Sequence, residues 1–421
     1  MNHRTNRAAR ALIIILLLSI LAGVLASCER HQTVTATMWT DRASVAAYVE
    51  MYNAQQERYK IEVEFTPRPA DSLLERQQHP DVVLGDYLAN ESTFVHFTPL
   101  DDILAGDALD AGAFYPGLLS LGRRNEETYL LPVSFDLPAA MFKRSELNEG
   151  LDQFRLPIDR LREEAAAFNE TVDDTYVRVG FSPRWSGEFL YVLAMSHGAN
   201  FREQGQRNAV WNHGALEDTV AYVRDWVEET NGGFDAEQDF ETRYLYDPPY
   251  QLLLRDRIRF SYTTADRFYS LVESSRRAVD LRWLSRDGSI PVLENISYIG
   301  IPEEARHAAA GRDFITWLFN AETQAALVDA VSRKRIEEFG IAGGFSSLVA
   351  TNEEELPRAF PGILGRVPPA GLLDFPLQVP KNWDDIKEDV VQPWLSRELT
   401  DDASAEELRQ EIRAWVLQKG D

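Results

Sequence analysis

Apolar and polar positions along this 421-residue chain follow two periods, and the period changes along its length. Thr33-Val34-Thr35-Ala36-Thr37-Met38-Trp39 is rich in β-branched residues and predicts a strand. Val45, Tyr48, Val49 and Tyr52 then recur at helical spacing. Residues 60–65 alternate polar with apolar and predict a second strand. A short helix over 71–77 and a buried strand over 80–86 follow. Strand, helix, strand, helix, strand is the pattern of a parallel sheet with crossover helices. The middle of the chain reads as helices over 158–168, 188–196 and 216–227, with short strand-like runs at 177–181 and 258–262. An apolar helix begins at Arg312, another opens at Asn320, and a final one buries Leu408, Ile412 and Val416. No repeat, low-complexity tract or linker separates these blocks.

The N-terminus departs from this pattern. After Arg4, Arg7 and Arg10, residues 11–27 carry no charge. That run is short for a membrane span, which takes about 20 apolar residues, and has the layout of an export signal. It ends in Leu25-Ala26-Ser27-Cys28, which resembles the lipobox of bacterial lipoproteins. The resemblance implies that residues 1–27 are removed, that the Cys28 thiol carries a diacylglycerol, and that residues 28–32 form a short tether. Cys28 is the only cysteine, so no internal disulfide is available.

Composition narrows the class of protein. A hydrophobic content of 44% and an aromatic content of 11% support sizeable cores, and the length suits two or three domains. The formal charge is −24; without the three N-terminal arginines, 40 basic side chains face 67 acidic ones, a net of −27. That balance argues against nucleic acid and against docking on anionic lipid, which both require clustered Lys and Arg. The Gly-x-Ser-x-Gly elbow, the phosphate loop, His-Glu-x-x-His and Gly-x-Gly-x-x-Gly are all missing. The seven histidines are scattered, with no metal-ligand spacing, so neither a metal nor a cofactor is expected. What recurs is an aromatic beside a polar or acidic residue at strand ends: Trp39-Thr40-Asp41, Gly85-Asp86-Tyr87, Ser134-Phe135-Asp136 and Tyr262 to Asp266. Ligands of open α/β sheets sit where such loops converge. Rings stack on sugar faces, and carboxylates accept from hydroxyls.

Several short motifs resemble the extracellular solute-binding proteins, family 1, of ABC sugar importers. They are Pro80-Asp81-Val82-Val83, Phe97-Thr98-Pro99-Leu100-Asp101-Asp102, Tyr129-Leu130-Leu131-Pro132-Val133-Ser134 and the run from Ala310 to Gln324. Met141-Phe142 stands where the family often has a Tyr-Asn pair, and 257–265 lacks the family's Gly and Met. The resemblance implies a two-lobed α/β fold of the type II periplasmic-binding-protein kind. Lobe one would be residues 33–135 plus 296–342, and lobe two 136–295 plus 343–421. Hinge crossovers are expected near 134–138, 291–297 and 342–347. Carried over by position, Trp39, Asp41, Asp86 and Asp136 would face the cleft from lobe one, with Trp185, Tyr262 and Asp266 from lobe two. Tyr298 and Phe345 would sit at the later crossovers. Trp283 and Trp383 read as core or surface, Trp226 and Trp317 as core. The function implied is non-catalytic: a monomer exported and held by lipid at the cell membrane, passing a sugar or oligosaccharide to an ABC permease. Three rivals remain open at this point: a glycosidase with unrecognised carboxylates, a binder of a cationic solute such as a polyamine, and a sensory lipoprotein.

Overall fold

The computed structural model describes residues 33–105, 108–146, 152, 154–205, 209–334, 338–400 and 405–419. The expected export signal, Cys28 and the 28–32 tether lie outside the described residues. The chain begins with β1 (Val34–Thr40), α1 (Ser44–Gln55), β2 (Tyr59–Phe65), α2 (Pro69–Glu75) and β3 (Val82–Asp86). β1 pairs in parallel with both β2 and β3, as the alternating pattern predicts. β4 (Leu131–Phe135) is buried at every residue and runs into β5 (Pro138–Lys143), where the chain passes to a second sheet.

That second body holds β6 (Arg155–Pro157), α3 (Ile158–Ala166), α4 (Gly187–Ser196), α5 (His213–Thr230), α6 (Phe234–Tyr244), β7 (Phe260–Thr264), α7 (Ala265–Tyr269) and β8 (Val279–Ser285). β9 (Ser297–Gly300) then returns to the first sheet, followed by α8 (Ala308–Leu318), α9 (Ala321–Lys334) and β10 (Phe345–Ser346). The C-terminal helices α10 (Trp383–Ile386), α11 (Gln392–Glu398) and α12 (Ala405–Lys419) pack back on the second body through Trp383, Trp394, Leu408 and Ile412.

The first sheet has six strands in the order β10–β4–β9–β3–β1–β2, with β9 antiparallel to both β3 and β4. The second has four, β7–β5–β8–β6. Each sheet takes strands from distant parts of the chain, which is why no linker is visible in the sequence. The run expected as a strand at 177–181 is displaced. Thr175–Arg178 forms a hairpin with Glu170–Val172 outside both sheets. Asp173 and Asp174, at φ of 50° and 60°, supply its two-residue turn, a geometry Asp tolerates better than most residues. Trp226, Trp283 and Trp383 are fully buried, and Trp317 is half-buried against Tyr52. Among the described residues no helix is long and apolar enough to cross a membrane.

Candidate functional site

The loops leaving the carboxyl ends of β3, β4 and β7 meet between the two sheets, where they line a cavity of about 200 Å³. Asp86 ends β3, Asp136 follows β4, and Tyr262 lies on β7, two residues before Thr264 caps α7 by accepting from the Arg267 N–H. That cap sets Asp266 in the first turn of α7, where the helix dipole favours a carboxylate. Ser186 caps α4 by accepting from the Phe189 N–H, which directs Glu188 and Tyr191, one turn apart, into the same cavity. Leu293, Glu294 and Asn295 enter from the strand connection before β9; Asp384, Lys387 and Glu388 enter from α10 and the turn after it.

Acidic groups dominate this lining. Lys387 donates to Glu294 at 2.8 Å and lies 3.0 Å from Asp384. Burial works against its ammonium, yet these two carboxylates hold its pKa above the ordinary value. Arg267 is tied to Glu188. Asp86 is tied to Arg42 and accepts from the Ser297 hydroxyl at 2.6 Å. Asp136 is 4% exposed; its Oδ1 accepts from the N–H groups of Leu137 (2.8 Å) and Asp266 (3.3 Å). Burial pushes its pKa up to about 7, with Asp266 adding to the rise and Thr264 opposing it. Asp266 is likewise raised by burial, although the Phe339 N–H donates to it at 2.9 Å. Burial also keeps the Tyr87, Tyr191 and Tyr262 phenols protonated by lifting their pKa well above the usual range.

A second cavity of about 160 Å³ adjoins the first through Asp86, Tyr87 and Asp384, and reaches the mouth of the cleft. Asp41 lines it; burial, then the neighbouring Asp86, raise its pKa to about 7. The mouth is bridged by ion pairs between the two bodies. Arg68, just before α2, donates to Asp385 at 2.7 Å. Lys381, just before α10, pairs with Asp71 on α2. The Tyr87 hydroxyl donates to Asp384 at 3.2 Å. Tyr87 holds φ at 55°, a left-handed backbone that costs an L-residue roughly 1–2 kcal/mol and turns the ring out of the β3 line.

Of the nine ligand candidates read from sequence, Asp86, Asp136, Tyr262 and Asp266 line the central cavity and Asp41 the adjoining one. The other four lie elsewhere. The Trp39 ring sits under the Arg76 guanidinium at 4.7 Å, and its indole N–H donates to Glu64 at 3.0 Å, which commits it to the β2 edge. Trp185 stacks on Phe240 (5.9 Å, 19°) and abuts Phe181 in the second body. Phe345 is 1% exposed and stacks on Phe135 in the core at the crossing. Tyr298 is buried behind Tyr87 and Glu294 in a separate small cavity. No tryptophan lines either cleft cavity. The residues missed carry weak signals. Tyr87 adjoins Asp86, Glu188 and Tyr191 share a helix face, and the 384–388 cluster needs the return of the C-terminus to the cleft, which sequence does not announce.

No curated protein sequence matches the chain. Solved structures do, at low identity. A sugar-binding protein, MalE, from Xanthomonas citri aligns with a TM-score of 0.65 at 14% identity, over 92% of this chain and 100% of that one. An ABC substrate-binding protein from Listeria monocytogenes, in complex with cycloalternan, aligns at 0.63 and 11%, over 92% and 99%. The galacto-N-biose/lacto-N-biose I-binding protein of a Bifidobacterium longum ABC transporter, bound to lacto-N-biose, aligns at 0.60 and 12%, over 92% and 96%. These likenesses fix the fold as the two-lobed type II arrangement. The family profile of bacterial extracellular solute-binding proteins matches residues 39–325, and with two sheets flanking a polar cleft, this chain belongs to that family, whose members bind solutes outside the cytoplasm.

Proposed function

We propose that the protein is a lipid-anchored receptor that captures a sugar or oligosaccharide between its lobes and delivers it to an ABC importer. The observation carrying this reading is the interlobe cavity, which gathers carboxylates and tyrosines from loops of both sheets. Carboxylates and phenols suit hydroxyl-rich ligands: the former accept two bonds per oxygen and the latter both donate and accept. Lobe closure excludes water and strengthens each of these bonds. The structural relatives described above, one a sugar-binding protein and two bound to carbohydrates, support the ligand class. Calorimetry of the full-length protein in mild detergent against a panel of disaccharides and oligosaccharides tests it; a panel without heat of binding sinks the assignment. The anchor rests on Leu25-Ala26-Ser27-Cys28. Cells fed labelled palmitate should label the wild type and not Cys28→Ser; equal labelling refutes the anchor. Loss of uptake on deleting a neighbouring permease would support the importer, whereas unchanged uptake would point to a sensory partner.

A further inference from the structure

Three features of the cleft bear on which solute it takes. The first is charge. Seven carboxylates and two cations line the central cavity, and both cations are already engaged, Arg267 by Glu188 and Lys387 by Glu294 and Asp384. Asp86 has its own cation in Arg42. Asp136, Asp266 and Glu388 remain, and among the described residues none of them forms an ion pair. Asp136 is the buried one of the three, and a buried carboxylate without an ion pair is costly in a cavity from which water is expelled.

The second feature is the sign of the unfilled hydrogen bonds. Asn295 Oδ1 in the central cavity and Asp41 Oδ1 in the adjoining one are buried with no hydrogen bond, although Arg42 Nε lies 3.6 Å from the latter. Both are acceptors. A ligand that fills them must bring N–H or O–H groups, and an ammonium brings three donors and no acceptor. The third is the aromatic surround. Tyr87, Tyr191 and Tyr262 line the cavity, and tyrosine faces attract organic cations. No tryptophan offers the broad flat face that neutral sugars stack on. The cation is organic rather than a metal ion, because among the described residues no three acidic or histidine side chains come close enough together to hold one.

We infer that the solute captured in this cleft carries a protonated amine, so that within the carbohydrate class it is an amino sugar and not a neutral one. This rests on the cleft being the ligand site. The ammonium sits against Asp136 and Asp266, which adjoin each other where β5 begins and β7 ends, and compensates the charge that the protein leaves open. Amino sugars and linear polyamines share this chemistry, and the test separates them.

Binding is measured by calorimetry on the full-length protein in mild detergent, with four probes: the β-1,4-linked glucosamine disaccharide, its N-acetylated counterpart, cellobiose and spermidine. The free amine should bind at least tenfold more tightly than either neutral disaccharide. Asp136→Asn should shrink that gap at least threefold. Glu388→Gln, at an exposed position on the rim, should shrink it too and serves if the Asp136 variant misfolds. Neutral disaccharides binding as tightly as the aminated one would overturn the inference and leave sugar capture standing. Spermidine binding without any sugar would uphold the amine and overturn the sugar. Silence from all four probes overturns both.

Discussion

Replacing Lys381 with alanine removes the better shielded of the two ion pairs that bridge the mouth of the cleft. The Lys381 and Asp71 side chains are 30% and 20% exposed, whereas Arg68 in the other pair is 61% exposed. Exposed pairs contribute roughly 0.2–1 kcal/mol, so the shielded one sits near 1 kcal/mol and the Arg68 pair near the lower end. Both pairs exist only when the lobes are together, so their whole contribution biases closure. A shift of about 1 kcal/mol changes an equilibrium about fivefold. Lys381→Ala should therefore weaken ligand affinity about fivefold, chiefly through faster release in stopped-flow displacement. The effect should fade in 1 M salt, where the screening length falls to about 3 Å. The exchanged pair Asp71→Lys with Lys381→Asp should restore much of the loss. An unchanged release rate, or a deficit that persists in high salt, would refute the latch.

Three further outcomes follow from positions described above. Trp39→Phe and Trp185→Phe should leave ligand affinity within twofold, because neither ring reaches the cleft. The first should lower stability by about 1–2 kcal/mol through the lost bond to Glu64, read in urea titrations. Gly344→Ala places a methyl 2.5 Å from the Phe135 carbonyl oxygen, a backbone atom that cannot yield, and should cost about 1–3 kcal/mol; an unchanged melting temperature would show that the crossing is slack. Glu203, whose Oε2 accepts from the Glu91 N–H at 2.7 Å, has its pKa raised by burial to about 7 from an ordinary 4.5. A raised folded-state value means that its contribution is full below about 4.5 and lost as pH rises through about 7. The melting temperature should thus climb between pH 8 and pH 5, and less so in Glu203→Gln; parallel profiles would refute that cause.

The parallel β1–β3 block was legible because its strands and α1 lie in sequence and each shows its own period. The return of β9 to the first sheet was expected only through resemblance, which assigned residues 343–421 to lobe two although β10 pairs with β4 in the first sheet; both strands are short and nothing local marks them. Within the cleft, the acidic residues at strand ends were found by one rule, that loops after strands converge. The tryptophans were misplaced because bulk alone does not reveal which side of a strand end is wet. Trp39 follows its neighbours Arg76 and Glu64 instead. Glu294 and Lys387 were missed because their pairing joins residues 93 apart.

The strand order also governs how the protein can be made. Among the described residues β4 pairs only with β9 and β10, which lie more than 160 residues downstream. At synthesis rates of about 5–20 residues per second, β4 waits roughly 10–30 s for its partners. Throughout that interval the first sheet lacks two of its six strands and β4 has no neighbour. A protein built in this order completes its first sheet only once the late segment has been made.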